Sequence, residues 1–386
     1  MTSLMIMGLM EFVRGALVLS LLPIYGQYSS GFSLGVIGTA ISLHYLSDNL
    51  FRIPAGWIND RLGGKWMLLF GTLLSGCGLV LMYFASTTAH LWLGAVLFGL
   101  GVSPIWPVVI SLVSTSRPLE QIGEALSKVF IAWLVGSGAG PVLINFILGK
   151  SYSLSFGALM ILIMASMLLT LIIPFPKHDR SVNKPIKLFI LELLRESIEF
   201  KVLYPGMFVQ TLSIGILIPV ITVYSQTVFG ISLEEFSYFL IGAGLFTVIL
   251  LVPAGKLADR LGVKGPLVAG LAAAALFLAL LPLQRHITNA LMLGALIGIS
   301  YAFILPAWNG LIARVISPEK RGVMWAWFMT VEGIGTATGS YIGTAVWDGI
   351  GPQAPFFFSA SVLAIMALVY CFIDINTLMT RNHSVY

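Results

Sequence analysis

The sequence predicts an all-α membrane protein with twelve transmembrane helices in two six-helix halves that are related by an internal repeat. Three observations predict this architecture. Only 10% of the 386 residues are charged, whereas soluble proteins carry about 25% charged residues. Apolar runs of about 20 residues recur along the chain, as membrane-spanning helices require. The polar segment PAGWINDRLGGK at 54–65 also returns as PAGKLADRLGVK at 253–264.

The predicted spans are joined by short polar connections. We interpret residues 3–25 as the first span of the mature protein rather than as a cleavable signal peptide, because no basic segment precedes this full-length apolar run. The twelve spans cover residues 3–25, 33–58, 66–86, 90–115, 121–149, 153–174, 204–227, 232–258, 265–283, 287–316, 321–347 and 354–376.

Residues of the first half recur in the second half at a constant offset of 199 positions. At the end of span two and in the loop that follows, these are Pro54, Gly56, Asp60, Arg61, Gly63 and Lys65, which return as Pro253, Gly255, Asp259, Arg260, Gly262 and Lys264. The same offset relates Tyr25, Gly31, Ser33, Pro107, Gly136 and Gly140 to Tyr224, Gly230, Ser232, Pro306, Gly335 and Gly339. Transporters built from such parallel repeats place their substrate site near the membrane midplane, between the halves.

The repeat divides the chain into a first half at 1–174, a linker at 175–203 and a second half at 204–386. The linker is the one long hydrophilic connection, and its part 188–200 (LFILELLRESIEF) predicts an amphipathic helix on the inner membrane surface. Loops after even-numbered spans hold Arg61, Lys65, Arg117, Arg260, Lys264, Lys320 and Arg321, whereas loops after odd-numbered spans hold Lys150 and Arg285. The positive-inside rule therefore places both termini in the cytoplasm of a multi-pass cell-membrane protein.

The composition argues against several other classes of protein. The net charge of +5 comes from basic residues scattered among loops, so we expect no nucleic-acid partner. Cys77 and Cys371 lie in apolar runs without a second Cys or a His at ligand spacing, which indicates neither a disulfide nor a metal site. The phosphate-binding Gly-x-x-x-x-Gly-Lys-Ser/Thr motif is absent from the sequence. We expect no cofactor and no metal, and an ion gradient rather than ATP as the energy source.

Four ionisable residues fall inside the first two spans, where a charge is costly and therefore suggests function. Glu11 and Arg14 are spaced i, i+3 on span one, and His44 and Asp48 are spaced i, i+4 on span two. Counting along the helices places all four at similar depth. The alternative interpretation is a self-satisfied polar cluster that only holds the two spans together.

The second half lacks this set of charges. At the 199 offset, Gln210, Ser213, Ala243 and Thr247 replace Glu11, Arg14, His44 and Asp48, and Glu332 in span eleven is the exception. One side of the cavity is therefore expected to be charged and the other nearly neutral and apolar. This polarity suits an amphiphile with a polar head and apolar tails better than a small hydrophilic solute.

Three tryptophans fall well inside spans, away from the interfacial belts that Trp usually occupies. They are Trp106, Trp133 and Trp308, and Asn309 follows the last of them. A flat indole face beside hydrogen-bonding groups suits stacking against a sugar ring. The alternative is a packed core residue at each position.

The repeated Asp-Arg-x-Gly-x-Lys loop and the Gly-x-Gly-x-Gly-Pro run at 136–141 resemble the major facilitator superfamily over essentially the whole chain. Within it, LMEFVRG at 9–15, SPIW at 103–106 with AW at 132–133, and LPAWN at 305–309 resemble flippases of the diglucosyl-diacylglycerol anchor of lipoteichoic acid. The resemblance implies proton-coupled antiport. It also implies that the disaccharide head is held by Glu11, Arg14, Asp48, Trp106 and Trp133.

The resemblance assigns a second role to the repeated loops. Asp60, Arg61, Asp259 and Arg260 would form charge networks at the cytoplasmic face that latch the halves together in the outward-open state. The alternative is a pair of tight turns whose charges only orient the protein in the membrane.

The sequence thus predicts a secondary transporter that acts as a monomer in the bilayer, with protons and a glycolipid or other amphiphile as its partners. Glu11 or Asp48 is expected to exchange the proton, because burial favours a neutral carboxyl and a nearby cation favours an ionised one. The alternative function is proton-coupled export of drugs or small solutes. An enzyme is disfavoured because no nucleophile–base pair is found, and a nutrient sensor because long cytoplasmic extensions are absent.

Overall fold

A computed structural model of the protein describes residues 1–115, 122–173, 185–200, 203–315 and 321–373. Every regular element in these ranges is helical, and twelve long helices, labelled α1 to α12, correspond to the twelve predicted spans. Ten of them are long and apolar enough to cross a membrane. The remaining two, α2 and α11, have 29 and 30 residues and more polar sequences. The predicted all-helical membrane fold is confirmed.

The bounds of the helices follow the predicted spans closely. The first half comprises α1 Thr2–Tyr28, α2 Leu34–Leu62, α3 Gly64–Tyr83, α4 Thr88–Val102 with Ile105–Thr115, α5 Ile122–Leu148 and α6 Tyr152–Ile172. The second half comprises α7 Tyr204–Thr227, α8 Leu233–Leu261, α9 Lys264–Leu280, α10 Ile287–Val315, α11 Arg321–Ile350 and α12 Ala354–Phe372.

The connection after α2 is tighter than the predicted bounds of 58 and 66, because the helix runs on through most of the repeated segment at 54–65. Helix α2 continues through Pro54 to Leu62, and Gly63 alone separates it from α3. Gly63 has φ +86°, a left-handed value that glycine adopts without strain, and Gly262 has the same φ at the end of α8. Asp60 and Arg61 therefore lie in the last helical turn, on a short and rigid connection.

Two faces of the molecule are distinguished by their glycine turns. We call the face with Gly63 and Gly262 the inner face, and the face with Gly31 and Gly230 the outer face. Gly31 and Gly230 have φ values of +70° and +66°, so the turns at the outer face also repeat at the 199 offset. The repeat read from the sequence therefore extends to the backbone conformation.

Glycines set the close packing within each half. A Cβ at Gly140 of α5 would collide with the backbone carbonyl of Phe12 in α1. At the equivalent position in the second half, a Cβ at Gly339 of α11 would collide with the carbonyl of Leu212 in α7. Small residues let backbones approach this closely within a membrane. The polar residues of α1 are thereby held at short range from α5.

The two halves are joined at the outer face and at mid-depth. Near the outer face the Thr222 hydroxyl donates to the Leu19 carbonyl at 2.5 Å, and the Ser237 hydroxyl donates to the Val142 carbonyl at 2.9 Å. At mid-depth the Thr330 hydroxyl of α11 donates to the Asn49 carbonyl of α2 at 3.2 Å. These contacts place α2 of the first half directly against α11 of the second.

The linker contains a helix at Ile186–Ser197, followed by a 3₁₀ turn at Ile198–Phe200, where the sequence predicted one helix over 188–200. Leu193 and Phe200 pack into the core of the second half. The Tyr204 hydroxyl donates a short hydrogen bond to the Ser197 carbonyl. One side of this linker helix is exposed and apolar, at Leu188, Leu191, Leu194 and Ile198.

A buried charge cluster as the candidate functional site

The first half contains a charge cluster between α1, α2 and α4. Arg14 Nη2 lies 2.5 Å from Glu11 Oε2 on the next turn of α1, and Arg14 Nη1 lies 3.3 Å from Asp48 Oδ2 on α2. Trp106 of α4 donates its indole N–H to Glu11 Oε1 at 3.0 Å. The structure therefore brings together Glu11, Arg14, Asp48 and Trp106. The sequence analysis had predicted that the three charged residues lie at similar depth. Their roles in binding stay predictions.

Arg52 is a member of the cluster that the sequence analysis missed. Its Nη2 donates to Asp48 Oδ1 at 3.0 Å and to Oδ2 at 2.8 Å. The side chain is only 4% exposed. The available signal was the spacing of His44, Asp48 and Arg52 at i, i+4 and i+8, which puts them on one face of a helix. The set of charges in the first two helices is therefore electrically balanced, with two carboxylates and two guanidinium groups.

A break in α4 positions Trp106. The helix stops at Val102 and resumes at Ile105, around Pro104, which has no N–H to donate. Trp106 lies in the first turn of the second segment, with its ring centroid 6.2 Å from that of Trp133 in an edge-on arrangement. Trp106 is buried and its N–H is engaged by Glu11, whereas Trp133 is partly exposed. Of the two indoles, Trp133 is the one with surface available for stacking.

His44 lies apart from the hydrogen-bonded cluster. Both ring nitrogens are buried without a hydrogen-bond partner, and the ring packs 5.1 Å from Tyr45 and 5.3 Å from Phe98. The sequence grouped His44 with Asp48 because both lie on one helical face. The structure shows that its imidazole instead lies among aromatic rings, at the contact between α2 and α4.

The second-half residues occupy two separate environments. Trp308 is buried in the core, 6.0 Å from the Tyr370 ring, and its indole N–H has no hydrogen bond of normal geometry. Glu332 of α11 lies within electrostatic range of that indole. Asn309 is partly exposed on the next position of α10. Gln210, which replaces Glu11 in the repeat, is buried with its Oε1 atom unpartnered.

An apolar cavity of about 210 Å³ is lined by residues of the second half and by Leu19 of α1 in the first half. Gln210, Ser213 and Tyr301 supply its polar groups. The remaining lining is aliphatic, and includes Leu217, Ile221, Leu278, Ile304 and Leu363. The cavity is smaller than a pocket for a whole drug-sized ligand, which is about 300–1,000 Å³. It has room for part of an apolar chain, and all of its lining residues except Leu19 belong to the half opposite to the charge cluster.

The four residues predicted to latch the inner face are exposed in the last turns of α2 and α8. Arg61 stacks its guanidinium 3.7 Å from the ring centroid of Trp57, one turn earlier on α2. Asp60 accepts a hydrogen bond from the Asn59 side chain at 3.2 Å. Asp259 and Arg260 occupy the matching positions on α8. The prediction that these residues control opening stays open.

The charge cluster is held together by contacts between its own charged groups. Buried charges require partners, and here the charged groups of neighbouring helices supply them for one another. Asp48 accepts from both arginines, so loss of its charge would weaken both contacts at once. A ligand rich in hydroxyl groups can replace these contacts because hydroxyls both donate and accept.

The comparisons with solved structures agree with this fold. The nucleoside transporter NupG superposes with a TM-score of 0.75 at 18% identity, covering 96% of this chain and 99% of that one. A D-xylose-proton symporter gives a TM-score of 0.71 at 14% identity, with 95% of each chain covered. At these identities the likeness concerns the fold alone.

Curated relatives match over nearly the whole length. The proton-coupled antiporter flippase LtaA of Staphylococcus saprophyticus is 29% identical over 383 residues, covering 97% of this chain and 94% of the relative. The protein of the same name from Staphylococcus aureus is 25% identical over 372 residues, covering 95% and 92%. The family model described as Major Facilitator Superfamily matches residues 4–201 and 203–383. The chain therefore belongs to the major facilitator superfamily.

Proposed function

We propose that the protein is a proton-coupled antiporter that flips a glycolipid anchor from the inner to the outer leaflet by alternating access. One observation carries the proposal beyond the family: the charge cluster belongs to the first half, whereas the apolar cavity is lined almost entirely by the second half, with Leu19 of α1 at its edge. A glycolipid presents hydroxyl groups to the first and acyl chains to the second. The full-length similarity to proteins named as proton-coupled antiporter flippases supports the same substrate class.

The headgroup is assigned to the first half. Glu11, Arg14 and Asp48 supply acceptors and donors for sugar hydroxyls, Trp133 supplies an exposed ring face, and Trp106 orients Glu11 through its N–H. His44 contributes shape and polarity rather than a hydrogen bond. In the second half, Gln210 and Asn309 supply polar groups, Trp308 packs in the core, and Glu332 lies on the side that faces Arg52 of α2.

The conformation supports an alternating-access cycle. The halves are bonded at the outer face through Thr222 and Ser237, which is the arrangement of a transporter closed on that side. We assign the inner face and both termini to the cytoplasm of a cell membrane, because the basic loop residues lie there. Asp60, Arg61, Asp259 and Arg260 would then form the latch when the inner face closes.

The remaining organisation follows from the repeat. Residues 1–174 and 204–386 act as the two rocking bodies, and 175–203 joins them along the inner membrane surface. A single chain contains both halves, so the proposed working unit is a monomer.

The experiment is a flipping assay in vesicles with purified protein. A diglucosyl-diacylglycerol with a fluorescent acyl chain is reconstituted, and a membrane-impermeant quencher reports its outer-leaflet fraction. We expect flipping above protein-free vesicles, accelerated by a proton gradient. Vesicles with the same protein and a fluorescent cationic dye provide the control for drug export. Dye transport without glycolipid flipping would overturn the proposal in favour of an exporter.

A further inference from the structure

A chain of five carboxyl and guanidinium groups runs from α1 across α2 to Glu332 on α11, and their charges do not balance. The carboxyl groups are Glu11, Asp48 and Glu332, and the guanidinium groups are Arg14 and Arg52. Three acids facing two arginines are neutral only when one acid holds a proton. Uncompensated charge in a membrane interior is expensive, and Glu332 is partly buried, so this arrangement favours that proton.

Glu332 is the acid without an ion pair. Glu11 is paired with Arg14, and Asp48 with both arginines, at 2.5 to 3.3 Å. Within the described part of the chain, Glu332 has no basic nitrogen within 4.0 Å. Its neighbours are Arg52 on α2 and Trp308 and Tyr301 on α10. Neither aromatic group supplies a compensating charge.

His44 does not change this count. Its two ring nitrogens are buried without any acceptor for a second N–H, so the imidazole is neutral in this arrangement.

The internal repeat does not reproduce the pair formed by Arg52 on α2 and Glu332 on α11. At the 199 offset Arg52 corresponds to Leu251 and Glu332 to Trp133, so neither residue has a counterpart in the other half. Arg52 and Glu332 therefore differ from the residues at the repeat-equivalent positions, and they lie where the two halves face each other.

Arg52 has unused donor capacity toward the second half. Only its Nη2 atom bonds Asp48, and its Nε–H is buried without a partner. Asn49, one turn earlier, lies so close to Gly333 that a Cβ there would collide with its amide. The Thr330 hydroxyl also binds the Asn49 carbonyl. The backbones at Arg52 and Glu332 are therefore held near each other.

We propose that Glu332 carries the exchanged proton and that Arg52 is the positioning residue that couples it to the headgroup site. This inference rests on the proposed antiport and replaces Glu11 or Asp48 as the proton carrier. When the Glu332 O–H bond breaks, the proton leaves to the aqueous phase and the new carboxylate attracts Arg52. Arg52 then loosens its hold on Asp48, whose oxygens become free to accept sugar hydroxyls. Proton release and headgroup binding are thereby linked.

The test compares Glu332→Gln with the wild-type protein in the flipping assay. The amide copies the protonated carboxyl, so glycolipid should still equilibrate between leaflets, but a proton gradient should no longer accelerate it. Glu234→Gln, an exposed carboxyl in the first turn of α8, serves as the matched control and should keep the wild-type response. A Glu332→Gln protein that retains the gradient response, or that folds and flips under neither condition, overturns the proposal.

Arg52→Lys tests the coupling residue separately. It keeps one positive charge but lacks the second donor arm with which Arg52 would bind the Glu332 carboxylate while still holding Asp48. We expect a reduced gradient response with the downhill flipping retained. A wild-type gradient response in this variant would show that the guanidinium is not the coupling group.

A conformational readout separates this inference from the proposed function. Spin labels at Leu62→Cys and Leu261→Cys, with Cys77 and Cys371 replaced by serine, report the opening of the inner face. We expect acidification to shift the distance distribution of wild-type protein but not that of Glu332→Gln. The distance measurement needs no glycolipid. The proton assignment to Glu332 can therefore be tested even if the wild-type protein does not flip the lipid. The same shift in both proteins would overturn the proton assignment alone.

Discussion

The pairing of Asp48 with Arg52 can be tested by a double-mutant cycle on stability. Asp48 is fully buried and accepts two hydrogen bonds from Arg52 and one from Arg14. Removing one partner of a buried ion pair typically costs about 3–5 kcal/mol, because the other charge is left uncompensated. We expect Asp48→Ala and Arg52→Ala each to lower the free energy of unfolding by an amount near the lower end of this range, since the neighbouring charges of the cluster compensate in part.

The double variant should cost less than the sum of the single ones. Contacting residues show interaction energies of about 0.5–3 kcal/mol, and a shared buried pair belongs in the upper half of that range. Unfolding of detergent-purified protein is followed by tryptophan fluorescence, with Glu234→Ala as the exposed-carboxyl control. Additive costs, within about 0.5 kcal/mol, would refute the pairing. A control variant that is as destabilised as Asp48→Ala would refute the argument from burial.

Three further predictions concern the site and the outer face. Glu11→Gln should fold but lose proton-coupled flipping, because its charge orients Arg14; normal coupled flipping in vesicles would contradict this. Trp106→Phe removes an N–H donor to a carboxylate and should lower stability by about 1.5–3 kcal/mol in a thermal melt, whereas Trp133→Phe, which breaks no such bond, should cost less. Asp348 accepts a hydrogen bond from the backbone N–H of Gly35 at 3.1 Å, across the two halves. A bond of about 0.5–1.5 kcal/mol holds the outer face closed, so Asp348→Ala should raise the outward-open population roughly two- to tenfold. Spin-label distances across the outer face measure this population, and an unchanged distribution would exclude the contact as a latch.

The twelve-helix fold was readable from the sequence because it depends on local properties. A run of about 20 apolar residues has to form a helix in a bilayer, since no water is there to satisfy its backbone. The 199-residue offset added the pseudo-symmetric halves, and the glycine turns at Gly63 and Gly262 preserve that symmetry in their φ angles. The end of α2 was not readable to the residue. Span two was predicted to end at 58, but α2 continues to Leu62, because polar residues beside the membrane can extend a helix as readily as form a turn.

The candidate site was readable only in part. The i, i+3 and i, i+4 spacings correctly placed Glu11 and Asp48 at a depth where Arg14 contacts both. The same rule applied one turn further would have added Arg52. Spacing could not reveal that the His44 ring turns toward Phe98, because rotation about the side-chain bonds depends on the neighbouring helix. The partner of the Trp106 N–H likewise depends on the break in α4.

The order of residues along the chain is enough to predict a duplicated helical bundle in a membrane, with two halves that differ in charge. Both properties follow from the hydropathy and identity of residues counted along one chain. Which charges share a partner becomes visible only in the folded protein, because that depends on distances between helices far apart in sequence. Arg52 and Glu332 are separated by most of the chain, and the α2–α11 contact alone makes them neighbours. The excess of three carboxyl groups over two guanidinium groups arises only when α11 contacts α2, because no single helix carries all five groups.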